Sequence, residues 1–208
     1  MFKFTDSVKI DKKNTRMVAH RGLSAVEREN TSPAFLAAAT RSYFGIETDV
    51  HVTADGQFVV VHDETLERVS EGKVKINVEK SRFSDFSDVI LPDLDKSLVR
   101  RDIKVPLLSE YISICKKYSK VCVLELKNDF SREDIVRMTL EIDALEYLDS
   151  MIFISFSYDN CVILRSLLPK AKIQLLTGVL RLTVHLLTSS RLILLTLTLP
   201  SSILMRRQ

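Results

Sequence analysis

This sequence of 208 residues has few cysteines and no long apolar run. It has three cysteines, Cys115, Cys122 and Cys161, without the close spacing of a metal-binding motif. This excludes a disulfide-rich fold and predicts reduced, buried thiols. The first residues contain no apolar run long enough for a secretory signal, so we expect a cytoplasmic protein. No stretch reaches the ~20 apolar residues that a membrane-spanning helix needs.

Acidic residues are absent after Asp159, whereas residues 160–208 carry seven Lys or Arg. These basic residues are scattered among Leu, Thr and Ser, which argues against a surface that binds nucleic acid or membrane. From residue 178 the sequence has low complexity, without helix caps or clear turns. We therefore expect a domain over residues 1–177 and an atypical tail over 178–208, produced by a shifted reading frame or another terminal rearrangement.

The composition, with 46% apolar and 27% charged residues, is that of a folded globular domain rather than a disordered chain. Apolar segments alternate with helical patterns, which predicts a mainly parallel sheet of α/β type. Residues 64–104 lack periodicity and indicate an irregular insertion. The six predicted strands cover 16–20, 45–52, 57–61, 121–127, 151–156 and 172–176, and helices are predicted to begin near Asn30, Pro106, Arg132 and Tyr158.

Acidic residues occur at strand spacing in two places. Glu47 and Asp49 lie two residues apart in an apolar strand, so both side chains point to the same face and offer oxygen ligands to a hard divalent cation. Glu125 and Lys127 repeat this spacing among leucines. Charged residues at this spacing most often lie on a solvent-exposed face of a strand. The apolar neighbours of both pairs argue against such exposure here.

Two histidines follow apolar strands at polar turns, His20 before Arg21-Gly22 and His62 before Asp63. That placement favours a functional role over a structural one. His51 shares the face of Glu47 and Asp49, and we expect a structural or loop role for it.

These residues form part of an ordered set of short motifs, which resembles the glycerophosphodiester phosphodiesterase family. Each motif is weak alone, but six in order over more than a hundred residues are specific, and Ser155-Phe156-Ser157 and Pro169 also fit. The six are His20-Arg21-Gly22, Glu29-Asn30-Thr31, Glu47-Thr-Asp49, Asp55-Gly56, His62-Asp63 and Glu125-Leu-Lys127.

The resemblance implies a TIM barrel with its site at the carboxyl ends of the strands. It also implies a divalent cation, and oxygen ligands suit Mg²⁺ or Ca²⁺. The implied reaction is hydrolysis of a glycerophosphodiester, a small-molecule substrate, to glycerol 3-phosphate and an alcohol. The implied site comprises metal ligands Glu47, Asp49 and Glu125, catalytic His20 and His62, substrate-binding Arg21 and Lys127, and Glu29 and Asn30 behind them as orienting residues.

The family's barrel has eight strands, and the sequence supplies about six, because residues 178–208 show no further strand and helix units. We therefore expect an incomplete TIM-type barrel. Two alternatives to the hydrolase stay open: a non-catalytic remnant that binds metal or phosphate, and an enzyme like the phosphoinositide phospholipases C. The sequence leaves the alcohol and the oligomeric state undetermined.

Overall fold

The computed structural model of the protein describes residues 14–96 and 100–177. The predicted change in character after residue 177 lies outside this part of the chain. Within it, strands and helices alternate, apart from two consecutive strands that form a hairpin. The strands are β1 Val18–Ala19, β2 Gly45–Val52, β3 Phe58–Val60, β4 Val121–Leu126, β5 Met151–Ser155 and β6 Lys172–Leu175. The helices are α1 Ser32–Ala39, α2 Leu108–Lys117, α3 Arg132–Ala144 and α4 Tyr158–Leu167.

Five of the strands form a parallel sheet in the order β1-β2-β4-β5-β6. Because neighbours in space follow one another along the chain, without the reversal of a doubly wound sheet, the arrangement is that of a βα barrel. Among the described residues β1 and β6 are the two ends of this sheet and do not pair with each other. The prediction of six strands and a mainly parallel sheet is confirmed, with β3 as the antiparallel member.

The first strand differs from its prediction. A buried strand is predicted over residues 16–20, but β1 has only two residues, and Met17 and Val18 are 44% and 37% exposed. In the described part of the chain β1 pairs with β2 alone, so its other edge has no partner strand there. Apolar composition predicts burial, whereas the length and cover of a strand depend on its neighbours.

The hairpin of β2 and β3 separates two hydrophobic cores. Phe58 and Val60 belong to the main core between the sheet and the helices, whereas Val59 and Val61 belong to a second core formed mostly by the segment that follows. Burial on both faces explains why this strand is an uninterrupted apolar run. In residues 64–96 and 100–104 the only regular helix is the 3₁₀ turn Phe83–Asp85. The irregular segment is therefore held by its own small core.

Tyr111 of α2 fastens a helix to the strand that carries the acidic pair. Its side chain is fully buried, its ring lies edge-on to Phe35 at 4.9 Å, and its hydroxyl donates to the carbonyl oxygen of Ile46 over 2.6 Å. A buried carbonyl that loses its donor costs free energy. Tyr111 therefore supports the backbone directly beside Glu47.

We predict that Tyr111→Phe lowers the free energy of unfolding by about 1–3 kcal/mol, because it leaves the Ile46 carbonyl without this buried partner. Urea denaturation measures the change. Tyr158→Phe is the matched control, since Tyr158 is 60% exposed. Equal stability of Tyr111→Phe and the wild type would contradict the role given to this hydrogen bond.

Candidate active site

Three buried carboxylates meet on one face of the sheet. Strand alternation places Glu47 and Asp49 on the same face of β2, and the parallel register puts Asp49 beside Glu125 of β4. One carboxylate oxygen from each of the three lies within 4.8 Å of the others. Their exposed fractions are 6%, 1% and 8%. The structure thus brings together the three residues that the resemblance assigns as metal ligands.

This cluster carries more negative charge than its protein surroundings satisfy. Oδ1 of Asp49 is buried without a hydrogen bond. The Lys127 ammonium lies 3.5 Å from it and also donates to Glu125 over 2.8 Å. Burial, together with the charge of Asp49, raises the pKa of Glu47 to about 8. Three converging oxygen donors with an unsatisfied buried atom are suited to a hard divalent cation. The residues present therefore fit the implied metal.

The loop between β1 and α1 approaches the cluster through its backbone. Arg21 and Gly22 both have positive φ, 55° and 76°, and the Arg21 N–H donates to Glu47 over 2.9 Å. A Cβ at Gly22 would lie 2.7 Å from the backbone of Ala34, so only glycine fits there. The turn explains the glycine that follows His20-Arg21 in the sequence.

Side chains of the same loop surround the acids. The Arg21 guanidinium donates to Glu29 over 2.9 Å, and its Nε lies 3.4 Å from Asp49. Asn30, buried and with φ of 54°, donates to Asp49 over 2.7 Å and accepts from the Thr48 hydroxyl over 2.8 Å. Asn30 therefore contacts the cluster directly, whereas Glu29 reaches it through Arg21.

The two histidines enter from different segments. The Nε2 of His20 lies 3.8 Å from Glu47, and its side chain is 68% exposed. His62 follows β3 of the hairpin. Because β3 runs antiparallel to β2, the carboxyl end of β3 lies beside Asp49, and the Val61 N–H donates to the Asp49 carbonyl oxygen over 3.2 Å. The Nδ1 of His62 lies 2.6 Å from Asp63.

His51 has the structural surroundings that the sequence analysis expects. It is 1% exposed, its Nδ1 lies 2.8 Å from Glu79, and its Nε2 lies 3.2 Å from the carbonyl oxygen of His62. Asn128 also donates to Glu79. This set holds the backbone of His62 against β2 and the end of β4.

Sequence reasoning assigned no role to Arg68 or to the carboxylate of Asp63. Arg68 makes bidentate ion pairs with Asp63 and with Glu29, so it joins the segment after β3 to the loop after β1. The only sequence signal is the mixed charge of residues 63–68. Because that segment has no periodicity, the signal does not indicate which charges meet.

Comparison with known proteins shows which family has this sequence and fold. Residues 20–186 match the family model described as the glycerophosphoryl diester phosphodiesterase family. The chain belongs to this family. The protein YqiK of Bacillus subtilis, described as uncharacterized, is 33% identical over 166 residues, which are 79% of this chain and 67% of the relative. A glycerophosphodiester phosphodiesterase of Bacillus altitudinis is 30% identical over 171 residues, 78% and 66% of the two chains.

Solved phosphodiesterase structures share the fold. A phosphodiesterase of Oleispira antarctica, in complex with the product sn-glycerol-3-phosphate, superposes with a TM-score of 0.71 at 24% identity, over 80% of this chain and 68% of that one. A glycerophosphodiester phosphodiesterase of Agrobacterium tumefaciens gives 0.67 at 25% identity, over 78% and 67%. The described residues therefore form an incomplete TIM-type barrel, and the chain spans about two thirds of the length of these relatives.

We predict that Mg²⁺ or Ca²⁺ raises the melting temperature of this phosphodiesterase-family chain and that Glu47→Gln abolishes the rise. A cation at about 100 times its Kd adds about 2.7 kcal/mol to the free energy of unfolding. Without cation at pH 7, the variant should be about as stable as the wild type, because the pKa of Glu47, raised to about 8 by burial, already leaves most of its carboxyl neutral. Thermal melts with and without EDTA measure both effects.

The control for this experiment is Glu67→Gln, because Glu67 is half-exposed and paired with Lys75 at the surface. It should keep the full response to the cation. A Glu47→Gln variant that keeps the response would show that the cation binds elsewhere.

Proposed function

We propose that this chain hydrolyses glycerophosphodiesters to sn-glycerol 3-phosphate and an alcohol, using Mg²⁺ or Ca²⁺ held by Glu47, Asp49 and Glu125. The observation that carries the proposal is the convergence of these three buried carboxylates, with His20 3.8 Å from Glu47 and with the residue before His62 hydrogen-bonded to the backbone of Asp49. Membership of the family supports the reaction class. The named activity of the Bacillus altitudinis relative and the product held by the Oleispira antarctica enzyme support the substrate class.

A phosphodiester carries negative charge that repels a nucleophile, so the site must neutralise it. When bound, the cation supplies Lewis acidity toward a phosphoryl oxygen. Arg21 and Lys127 supply further positive charge: the Arg21 Nε lies 3.4 Å and the Lys127 Nζ 3.5 Å from Asp49. The planar Arg21 guanidinium suits two phosphate oxygens, whereas Lys127 acts as a point charge. Both are assigned to substrate binding.

His20 and His62 are assigned as the proton carriers, since imidazole titrates near neutral pH. One removes the proton from the neighbouring glycerol hydroxyl, whose oxygen attacks phosphorus while the bond from phosphorus to the alcohol breaks. The other gives a proton to the departing alcohol. Water then opens the cyclic phosphate with the proton transfers reversed. Each proton transfer contributes about 10²–10⁴-fold in rate.

The remaining residues and segments take supporting parts in the proposal. Asn30 orients Asp49 through its 2.7 Å hydrogen bond, and Glu29 orients Arg21. We assign the phosphodiesterase unit to residues 1–177, with 64–104 as an insertion and 178–208 as a separate tail, although the family match continues to residue 186. The part of the chain that the structure describes contains no helix that could span a membrane.

A cytoplasmic location is also part of the proposal. The three cysteines are buried free thiols in the structure, as a reducing compartment allows. The proposed reaction does not use the thiols; strand alternation places Cys122 on the face of β4 opposite to Glu125.

We predict release of sn-glycerol 3-phosphate from glycerophosphocholine, abolished by EDTA and reduced at least ~10²-fold by His20→Ala. An enzyme-coupled assay for glycerol 3-phosphate measures it. Because the His20 side chain is 68% exposed, the substitution should leave the melting temperature unchanged. Lys75→Ala is the control, since it removes a surface charge that is 73% exposed.

Three outcomes would overturn this assignment. Product release that persists in EDTA and in His20→Ala would exclude the proposed mechanism. Formation of an inositol cyclic phosphate from phosphoinositide, without activity on glycerophosphocholine, would select the phospholipase C alternative. Stabilisation by cation without turnover of either substrate would select the binding remnant.

A further inference from the structure

A single arginine lies between the two segments that carry the histidines. The Nε and Nη2 of Arg68 donate to Asp63 over 2.6 and 3.2 Å, and its Nη1 and Nη2 donate to Glu29 over 3.0 and 2.8 Å. Asp63 belongs to the segment after β3 and Glu29 to the loop after β1. Two opposed bidentate pairs use the planar geometry of a guanidinium, which a lysine cannot reproduce.

Each of the two carboxylates also contacts a residue of the proposed site. Asp63 lies 2.6 Å from Nδ1 of His62, and Glu29 accepts from Arg21 over 2.9 Å. A continuous chain of charged hydrogen bonds thus runs from His62 through Asp63, Arg68 and Glu29 to Arg21. It connects a proposed proton carrier to a proposed phosphate ligand.

The chain also fixes which nitrogen of His62 holds a proton. Partial burial acts to raise the pKa of Asp63, but the hydrogen bonds from Arg68 and His62 outweigh it and lower the pKa to about 2. The carboxylate is therefore ionised at neutral pH and only accepts hydrogen bonds. Nδ1 of His62 must then be the donor, which leaves Nε2 as the nitrogen that gains and loses a proton.

Because Arg68 is half-exposed, its effect on the orientation of neighbouring side chains can be measured apart from its effect on stability. Its side chain is 49% exposed, and exposed ion pairs contribute little to the free energy of unfolding. The same contacts still restrict four side chains whose angles decide proton transfer and phosphate binding. Removal of Arg68 should therefore affect turnover much more than melting temperature.

Other contacts show that the irregular segment holds the β1–α1 loop at more than one point. The Nε of Arg28 donates to the carbonyl oxygen of Pro92 over 2.8 Å, and Arg100 donates to Glu27 over 2.6 Å. Neither arginine is joined to Asp63 by these bonds. Of these three arginines, Arg68 is the one that bonds to Asp63, the residue in contact with His62.

We propose that Arg68 is a positioning residue for the phosphodiester reaction, which holds His62 through Asp63 and Arg21 through Glu29. This inference rests on the proposed function for its effect on turnover. Its geometric part, that Arg68 fixes the tautomer and orientation of His62, is testable without turnover.

The test compares Arg68→Ala and Arg68→Lys with the wild type and with Lys75→Ala, whose lysine forms a surface ion pair with Glu67. We expect Arg68→Ala to lower kcat about 10–100-fold, the range for partners of active-site ligands, with an unchanged melting temperature. Arg68→Lys should restore only part of the loss, and Lys75→Ala should match the wild type. An Arg68→Ala enzyme with wild-type kcat, or with a kcat loss matched by unfolding, would overturn the proposal.

A double-mutant cycle tests whether the effect passes through the aspartate. If Arg68 acts through Asp63, then Arg68→Ala should cost less in kcat in the Asp63→Asn background than in the wild type. Full additivity of the two losses would contradict the connection.

The readout without turnover is the ¹⁵N spectrum of the histidines, with His62 assigned by its absence in His62→Gln. We expect a protonated, hydrogen-bonded Nδ1 in the wild type and an averaged tautomer in Arg68→Ala. Identical His62 signals in both would overturn the proposal. If the wild type releases no glycerol 3-phosphate, the proposed function fails, and this comparison still decides whether Arg68 holds His62.

Discussion

Repulsion among three buried carboxylates is the constraint on which this structure depends. Glu47, Asp49 and Glu125 are each less than a tenth exposed and approach within 4.8 Å of one another. Charges so placed are costly unless cations or donors compensate them. The protein supplies an ammonium from Lys127, an amide from Asn30 and a backbone N–H from Arg21. One buried oxygen of Asp49 is still without a hydrogen bond, and this imbalance is what a divalent cation would remove.

Regular strands, a hairpin and one loop bring the three carboxylates and the histidine segments together. Alternation along β2 puts two acids on one face, and the register with β4 adds the third at the same level. The hairpin then returns β3 so that His62 comes back beside Asp49, while the β1–α1 loop brings His20 and Arg21 from the other side. The site thus lies toward the carboxyl ends of the parallel strands, as in other βα barrels.

The sequence predicted the central part of this arrangement well. The bounds of β2 agree with the prediction because a glycine opens it, a turn closes it and both faces are buried. The convergence of Glu47, Asp49 and Glu125 was predictable from strand alternation and from the resemblance to a family. The family itself is shown by the match over residues 20–186.

Features that depend on distant contacts were not predictable in the same way. The length of β1 depends on which strands flank it, so composition alone overestimated it. The second core arises from apolar residues scattered through a segment without periodicity, which assemble against β3. Arg68 pairs with an acid 39 residues away, and a single sequence has no signal for such a contact.

The central claim is that a cation compensates the three carboxylates. Anomalous diffraction from crystals soaked in Mn²⁺, which prefers the same oxygen ligands as Mg²⁺, tests it most directly. We expect one strong peak within about 2.0–2.6 Å of an oxygen from each of Glu47, Asp49 and Glu125. Crystals that show no peak there, or Mn²⁺ bound only at other carboxylates, would contradict the account.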